Sequence, residues 1–376
     1  MRRHFIRLWY GVSGTITMIV VVLLLLTAYG GRIDPHDYAW PSILGIAYPV
    51  MLAITVALII AWLVLRHWWL ALISAIALLA TWPTLRVTAP LHFGSSIPAE
   101  AQTLRVLSYN VYNFGYSDVH TDTATMRYIL DQQADIVLLQ EASSDYDYEH
   151  LPLMQPYMAR LNELYPYRSH GYHDVSILSR YPYEVVPDTL MRQTAENNPK
   201  SYHVYAKAFD VQLPQGRQLR VISTHLQSIG LTDRDKHTYE NITRLDSVAS
   251  RAQLSQVRHS IYGKLSGAFQ RRTAEARVMR NFIDGCPPNL IVCGDFNDVP
   301  ASYSYWTVRG DDLRDAYADA AFGPTFTYNR NRLYFRIDHV LYRGALRAVN
   351  VRCEHSGTGS HSDHYPLLTT FVWTEP

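Results

Sequence analysis

The residue pattern predicts an α/β protein, a core of two β-sheets with helices outside, preceded by three transmembrane helices. Two observations carry this. Composition changes abruptly near residue 86, from uncharged apolar runs to a mixed polar sequence. Beyond Leu104, strand-like runs occur both as hairpins and with helical segments between them, which a purely parallel doubly wound sheet does not produce.

Gly11 to Tyr29 is uncharged over about the ~20 residues a bilayer crossing needs, as is Pro41 to Leu65, and Trp68 to Leu85 forms a shorter third run. A cleavable signal has an apolar core of only ~7–15 residues; the first run is longer, and two more follow it. Arg2, Arg3 and Arg7 precede the first run, the Gly30–Trp40 loop holds one Arg and two Asp, and Arg66-His67 separates the second run from the third. By the positive-inside rule the N-terminus is then cytoplasmic and everything after Leu85 extracytoplasmic, at the cell inner membrane if the source is bacterial. Trp9, Trp40, Trp68 and Trp69 sit at run ends, as interfacial anchors do. The expected division is an anchor over 1–86 meeting the bilayer through residues 11–85, a linker over 87–102, and a globular domain over 103–376.

From residue 87 onward, 28 Lys/Arg stand against 31 Asp/Glu, a net of −3. Duplex binders advertise a basic face, so this balance weighs against a nucleic-acid partner. Cys286, Cys293 and Cys353 show no metal-type spacing. Cys293 and Cys353 lie in apolar runs and read as core, leaving Cys286 as the candidate for a disulfide in an oxidising compartment.

Leu104 to Val111 reads as a buried strand. Met126, Ile129 and Leu130 at helical spacing, after capping candidates Thr121 to Thr125, predict a helix leading into a second strand, Asp135 to Glu141. Further strands are expected at Val175–Leu178, Tyr202–Leu213, Leu219–His225, Leu290–Cys293, Tyr334–Tyr342 and Leu367–Val372, with Pro214-Gln215-Gly216-Arg217 as a hairpin turn. Residues 227–285 carry ten Lys/Arg against six Asp/Glu, with Leu254, Val257, Ile261 and Leu265 and then Ala274, Val278, Phe282 and Ile283 at helical intervals. That predicts one or two long helices with a solvated face; an anion-attracting flank is the alternative.

Asn110, Glu141, His225, Asp295 with Asn297, Asp338, and Asp363 with His364 each follow or sit within an apolar strand-like run. A fold that aligns these ends gathers the groups on one rim. A carboxylate such as Glu141 is costly to bury unpaired, and a cation removes that cost. Carboxylates and amides are hard ligands for a small divalent ion, and imidazole moves protons near neutral pH. The pattern points to metal-assisted hydrolysis of a phosphate ester.

The chain resembles the endonuclease/exonuclease/phosphatase superfamily over roughly Leu104 to Trp373. The matching blocks are Leu107-Ser108-Tyr109-Asn110, Asp135 to Glu141, Ile177 to Pro182, Ser223-Thr224-His225-Leu226, Gly294-Asp295-Phe296-Asn297, Arg336-Ile337-Asp338-His339 and Ser362 to Pro366, in the family's order. The resemblance implies a four-layer sandwich of two mostly antiparallel sheets, with a Mg²⁺-type site (Mn²⁺ as substitute) on one edge. It assigns metal contacts to Glu141, Asn110 and Asp363, water positioning and phosphoryl contacts to Asp295 and Asn297, an imidazole–carboxylate pair to His364 and Asp338, and a phosphate-facing role to His225. Whether Asp295 or His364 is the general base stays open.

The implied reaction is in-line attack of water on a phosphomonoester or phosphodiester. Tethering near a bilayer makes a lipid head group or other surface phosphate attractive, with extracytoplasmic DNA or RNA as the rival substrate and a non-catalytic binding domain as the alternative of another class. Weaker features have plainer readings. His170 and His173 are solvated loop residues, the spacing of His355, His361 and His364 fits no tetrahedral zinc framework, and Tyr112, Tyr116, Tyr303 and Tyr305 pack on the sheets rather than stack on a base or sugar.

Overall fold

A computed structural model describes residues 2–94, 97, 100–115, 123–142, 155–169, 175–187, 205–230, 251–330, 334–355 and 362–374. The readings of Tyr116, Thr121, His170, His173, Tyr202 and His361 fall outside the described residues.

Two 6-stranded sheets lie face to face. The first runs β11-β12-β1-β2-β4-β3, with β1 (Thr103–Asn110), β2 (Ile136–Gln140), β3 (Tyr167–Arg168), β4 (Val175–Ser179), β11 (Leu346–Cys353) and β12 (Leu367–Trp373). The second runs β5-β6-β7-β8-β10-β9, with β5 (Tyr183–Val186), β6 (Tyr205–Gln212), β7 (Gln218–His225), β8 (Leu290–Asp295), β9 (Arg314–Asp315) and β10 (Asp338–Arg343). Both sheets are mixed: β1 with β2, and β7 with β8, are parallel, and the other neighbours are antiparallel.

Alternation along the strands explains the layers. Val106, Ile136, Leu138, Val221, Ile291, Cys293 and Val340 face the gap between the sheets and form the central core. The next residues along, Leu107, Tyr109, Val137 and Leu139, face outward under helix α6 (Ala124–Gln132) and helix α7 (Gln155–Leu164). Ile222, Leu290, Val292 and Leu341 face outward under helix α8 (Arg251–Asp284) and helix α9 (Tyr303–Arg309). With both faces covered, the strands read as near-continuous apolar runs. Residues 251–284 form a single helix, and a short 3-10 turn, Pro214–Gly216, closes the β6–β7 hairpin.

Three transmembrane helices were expected; among the described residues one stretch, Gly11–Arg32, which begins in α1 (Arg2–Tyr29) and runs on through the short 3-10 turn after it, is long and apolar enough to cross a membrane, with mean hydropathy 2.3. The other two runs are broken. Helices α2 (Ala39–Gly45) and α3 (Tyr48–Val64) meet at 57°, and α4 (Trp68–Ala80) and α5 (Trp82–Thr88) at 75°. Pro stands in the first turn of both α3 and α5, where its missing N–H costs nothing, so each is a fresh start rather than a continuation. Hydrogen bonds tie the helices to one another: Trp62 Nε1 donates to Thr17 Oγ1 at 3.1 Å, and Thr84 Oγ1 to the Ala28 carbonyl at 2.8 Å.

The bundle is seated on the sandwich. Val21, Leu24, Ala28, Tyr48, Met51 and Ala77 share one buried cluster with Val299, Ala301 and Ile337. Gly31 lies so close to Ala301 that a Cβ there would meet its carbonyl oxygen at 1.7 Å. The Arg32 guanidinium lies 3.6 Å over the Trp306 ring, Arg277 pairs with Asp34, and buried Arg336 donates to the Val87 carbonyl at 2.9 Å and to Asp315 at 2.9 Å. Within the stretch read as a linker, Leu91 bridges Phe322, and Gly323 N donates to the Pro90 carbonyl at 2.7 Å. The three cysteines are free, so Cys286 forms no disulfide. Its thiol donates to the Phe282 carbonyl and accepts from Arg220.

Candidate active site

The parallel pairs bring the C-terminal ends of β1, β2, β7 and β8 to one edge, and antiparallel β10 brings its N-terminal end there: His225 registers with Asp295, and Asp295 with Asp338. Asn110, His225, Asp295 and Asp338 keep the inward parity of Val106, Val221, Cys293 and Val340. They therefore extend the core stripe to the rim, where the gap between the sheets opens. Near its end β8 requires glycine: Gly294 has φ +141, and a Cβ there would sit 1.9 Å from the Thr224 carbonyl oxygen of the neighbouring strand. Glu141 and Asn297 leave their strands with φ of 51° and 50°, conformations uncommon for non-glycine residues that turn both side chains back to the rim.

Asn110 ties the sheets together. Its Nδ2 donates to Glu141 Oε1 at 3.0 Å and to Asp295 Oδ2 at 3.1 Å, while Oδ1 accepts from Tyr112 N. Placed this way, the amide hydrogen-bonds the carboxylates, and its oxygen is spent on the main chain. His225 Nε2 lies 3.7 Å from both Glu141 Oε1 and Asp295 Oδ2. Asn297 donates through its main-chain N–H to Asp295 Oδ1 at 2.7 Å and through Nδ2 to the Leu226 carbonyl at 2.9 Å. On the far side of Asp295, His364 Nε2 lies 3.6 Å from Oδ2, and Nδ1 meets Asp338 Oδ2 at 2.8 Å.

Among the described residues, two groups of ligand-type atoms, each within 4.8 Å of one another, result: Glu141, His225 and Asp295, and then Asp295, Asp338 and His364. The first holds two carboxylates at the mouth of the gap and fits a hard divalent cation. In the second, the 2.8 Å hydrogen bond marks an oriented imidazole–carboxylate pair. Asp363, expected beside the cation, belongs to neither group, and its carbonyl accepts from Asn329 N. Ser362 Oγ donates to the Asn110 carbonyl at 2.7 Å and accepts from His364 N at 3.0 Å, so the chain bends at partly exposed Asp363 between two buried neighbours.

Electrostatics follow burial. Burial pushes the Asp295 carboxyl up to about 6, against the pull of His364 and His225. For His364 burial acts downward, but Asp338 and Asp295 outweigh it and raise the imidazole to about 10, so it stays charged at neutral pH. Tyr328 packs edge-on against that ring, with centroids 5.2 Å apart.

A supporting shell escaped the sequence reading. Arg272 of α8, 1% exposed, donates to Asp298 Oδ2 at 3.0 Å and to the Gln227 carbonyl at 3.1 Å, and Glu275 accepts from Gln227 N at 2.8 Å. One helix thus clamps the loops that follow His225 and Asn297. Its signal was present: Arg272 and Glu275 fall on the buried stripe of Phe269, Ala276 and Met279. Arg272→Ala would leave the buried Asp298 carboxylate without its counter-charge and should cost about 3–5 kcal/mol, read as a lowered melting temperature.

His339 is the second omission. It is fully buried, its Nε2–H donates to the Asp298 carbonyl at 2.8 Å, and burial, seconded by Arg336, lowers its pKa from 6.5 to about 4. Below 6.5 the unfolded chain binds this proton and the folded chain does not, so stability falls as pH drops from 6.5 and the contribution is gone below about 4. The full loss is about 3 kcal/mol. A His339→Gln variant, which keeps a donor, should show a correspondingly smaller drop in melting temperature between pH 7 and pH 4.5.

The remaining candidates pack. Tyr305 is buried and donates to Asp315 Oδ2 at 2.7 Å, Tyr303 accepts from Arg277, and Arg330 lies over Tyr112 at 5.2 Å. His355 stacks on Phe326 with centroids 4.7 Å apart.

A family model described as the endonuclease/exonuclease/phosphatase family matches residues 107–364, the span that holds all of these rim residues. The chain belongs to the endonuclease/exonuclease/phosphatase family. Members of this family are hydrolases that act on phosphoester bonds and typically use divalent metals. A second model, a domain of unknown function, matches residues 10–88. Comparison with curated proteins yields no match. Solved structures similar to the chain include the human Nocturnin catalytic domain with bound sulfate (19% identity, 72% of this chain and 95% of that one, TM-score 0.45). Others are D. rerio TDP2 complexed with single strand DNA product (17%, 72% and 99%, TM-score 0.43) and a family member from Bacteroides vulgatus (16%, 72% and 99%, TM-score 0.46).

Proposed function

We propose that the chain is a membrane-anchored, divalent-metal-dependent phosphoesterase that hydrolyses a phosphomonoester or phosphodiester by in-line attack of water. The observation that carries this is the convergence of Asn110, Glu141, His225, Asp295 and the His364–Asp338 pair at one edge of the sandwich. Glu141, with Asp295 beside it, would hold Mg²⁺ or Mn²⁺, which when bound neutralises charge on a phosphoryl or leaving oxygen. Asp295 is the group suited to take the water's proton, because His364 is already charged and can only donate. His364 and His225 face the developing charge, Asn297 fixes the Asp295 carboxylate through its main-chain N–H, and Asp338 holds the His364 ring.

In this reading residues 1–86 anchor the enzyme with the N-terminus cytoplasmic, and residues 103–376 form an extracytoplasmic catalytic domain. The loop that leaves β8 after Asp295 bears Asn297 and continues into Val299 and Ala301, which pack on α1, α3 and α4. That continuity supports a phosphoester borne at the bilayer surface, such as a lipid head group.

The test is a substrate panel on the full-length protein in detergent micelles with Mg²⁺ or Mn²⁺: phospholipids, nucleic acids and sugar phosphates. Lipid phosphoester cleavage is expected. Preferential cleavage of DNA or RNA that collapses with rising salt would replace this reading with a nuclease, and no turnover of any substrate would leave only a binding domain.

A further inference from the structure

We infer that the chain holds one anionic phospholipid in a groove between α3 and the flank of the sandwich where edge strands β9 of the second sheet and β11 of the first supply lining residues, away from the catalytic rim. The inference rests on the membrane-anchored reading above. The groove measures about 990 Å³, within the range of dedicated small-molecule sites.

Its two ends differ in chemistry as the two ends of a lipid do. Along α3, Leu52, Val56 and Ile60 form an apolar wall whose floor is opened by Ala53 and Ala57. From Pro49 to Ile60 this wall is roughly 17 Å long at ~1.5 Å per residue, about the depth of one leaflet of a ~30 Å hydrocarbon core. At the sandwich end the lining changes to Arg86, His92, Arg314 and Arg347 with a single carboxylate, Asp319. Arg86 and Arg314 both pair with Asp319, so this end keeps a net positive charge.

The surroundings place that end at a membrane surface. Helix α5, which supplies Leu85 and Arg86, turns 75° from α4 and so lies across the bundle rather than along it. Beside the groove Phe93 is 87% exposed and Phe322 60%, their rings 5.1 Å apart, an aromatic pair suited to the interface. An acyl chain along α3 would cover the alanine floor, and the phosphate would meet Arg347 and Arg314.

Native mass spectrometry of the full-length protein, titrated in detergent with palmitoyl-oleoyl phosphatidylglycerol or the matching phosphatidylcholine, tests this. One phosphatidylglycerol should be retained in preference to phosphatidylcholine. Arg347→Glu, outside the catalytic rim, should weaken retention by about tenfold. Ala53→Trp, at an exposed position of α3, should block the tail slot and abolish retention. Arg352→Glu makes the same charge change on β11 outside the groove and should have no effect. Equal retention of both lipids, or undiminished phosphatidylglycerol retention in Arg347→Glu and Ala53→Trp, would overturn the site. Alkaline carbonate extraction of membranes separates the two readings: release of the wild-type chain removes the anchor itself, whereas a firmly embedded chain that retains no phosphatidylglycerol removes only the groove.

Discussion

His364→Gln should lower turnover by roughly 10²–10⁴-fold, the size of a positioned acid–base group. The imidazole lies between two carboxylates, 2.8 Å from Asp338 and 3.6 Å from Asp295, and it is held charged through neutral pH. Glutamine keeps a donor but neither charge nor a transferable proton, so the loss belongs to kcat more than to KM. Asp338→Asn should be milder and change the pH profile. Asp338 is the strongest influence holding the proton on His364, against a burial that works to remove it. Without that charge, the imidazole loses its proton at lower pH, and the alkaline limb of kcat should move downward. His364→Gln turnover equal to wild type would remove the imidazole from the reaction, and an unmoved alkaline limb in Asp338→Asn would remove the pair.

Much of this arrangement was legible because the central strands are buried on both faces. Ile136-Val137-Leu138-Leu139 and Leu290-Ile291-Val292-Cys293 are unbroken apolar runs, and a polar residue at the end of such a run has to lie at the rim. Edge elements were less visible. β11 alternates Leu346, Arg347, Ala348 and then, after a bulge, Asn350, Val351 and Arg352, so exposed charge hides half of its signal. The predicted Tyr334–Tyr342 strand begins only at Asp338, since Phe335 pairs with Tyr328 in an isolated bridge.

Hydropathy measures how apolar a segment is, not whether it is straight. Two uncharged runs therefore read as simple spans, although Pro49 and Pro83 restart their helices after sharp bends. At the site, a sequence motif could not show that Asp363 belongs to neither group of ligand-type atoms. Nor could it show that Arg272, distant in sequence, supports the loop after Asn297 from a buried helix stripe that it shares with Glu275.

Glu141→Gln should abolish measurable turnover and, in the same protein, uncouple stability from divalent metal. In the wild-type chain Glu141 and Asp295 share one Asn110 amide and face one imidazole, so two carboxylates crowd a partly desolvated rim. A bound cation offsets that repulsion, and occupancy at 100 times Kd would add about 2.7 kcal/mol to stability. The wild-type melting temperature should therefore rise with Mg²⁺ or Mn²⁺ and return on chelation. Glutamine keeps the size of the side chain and can still hydrogen-bond Asn110, but it removes one of the two charges. Without metal, Glu141→Gln should be at least as stable as the wild type, because the repulsion is gone, and adding metal should leave it unchanged. Inactivity alone would not distinguish a lost metal site from a damaged fold, whereas an inactive variant that melts no lower and ignores metal can only have lost the site. A wild-type melting temperature indifferent to Mg²⁺ and Mn²⁺, together with turnover indifferent to chelators, would show that Glu141 holds no cation.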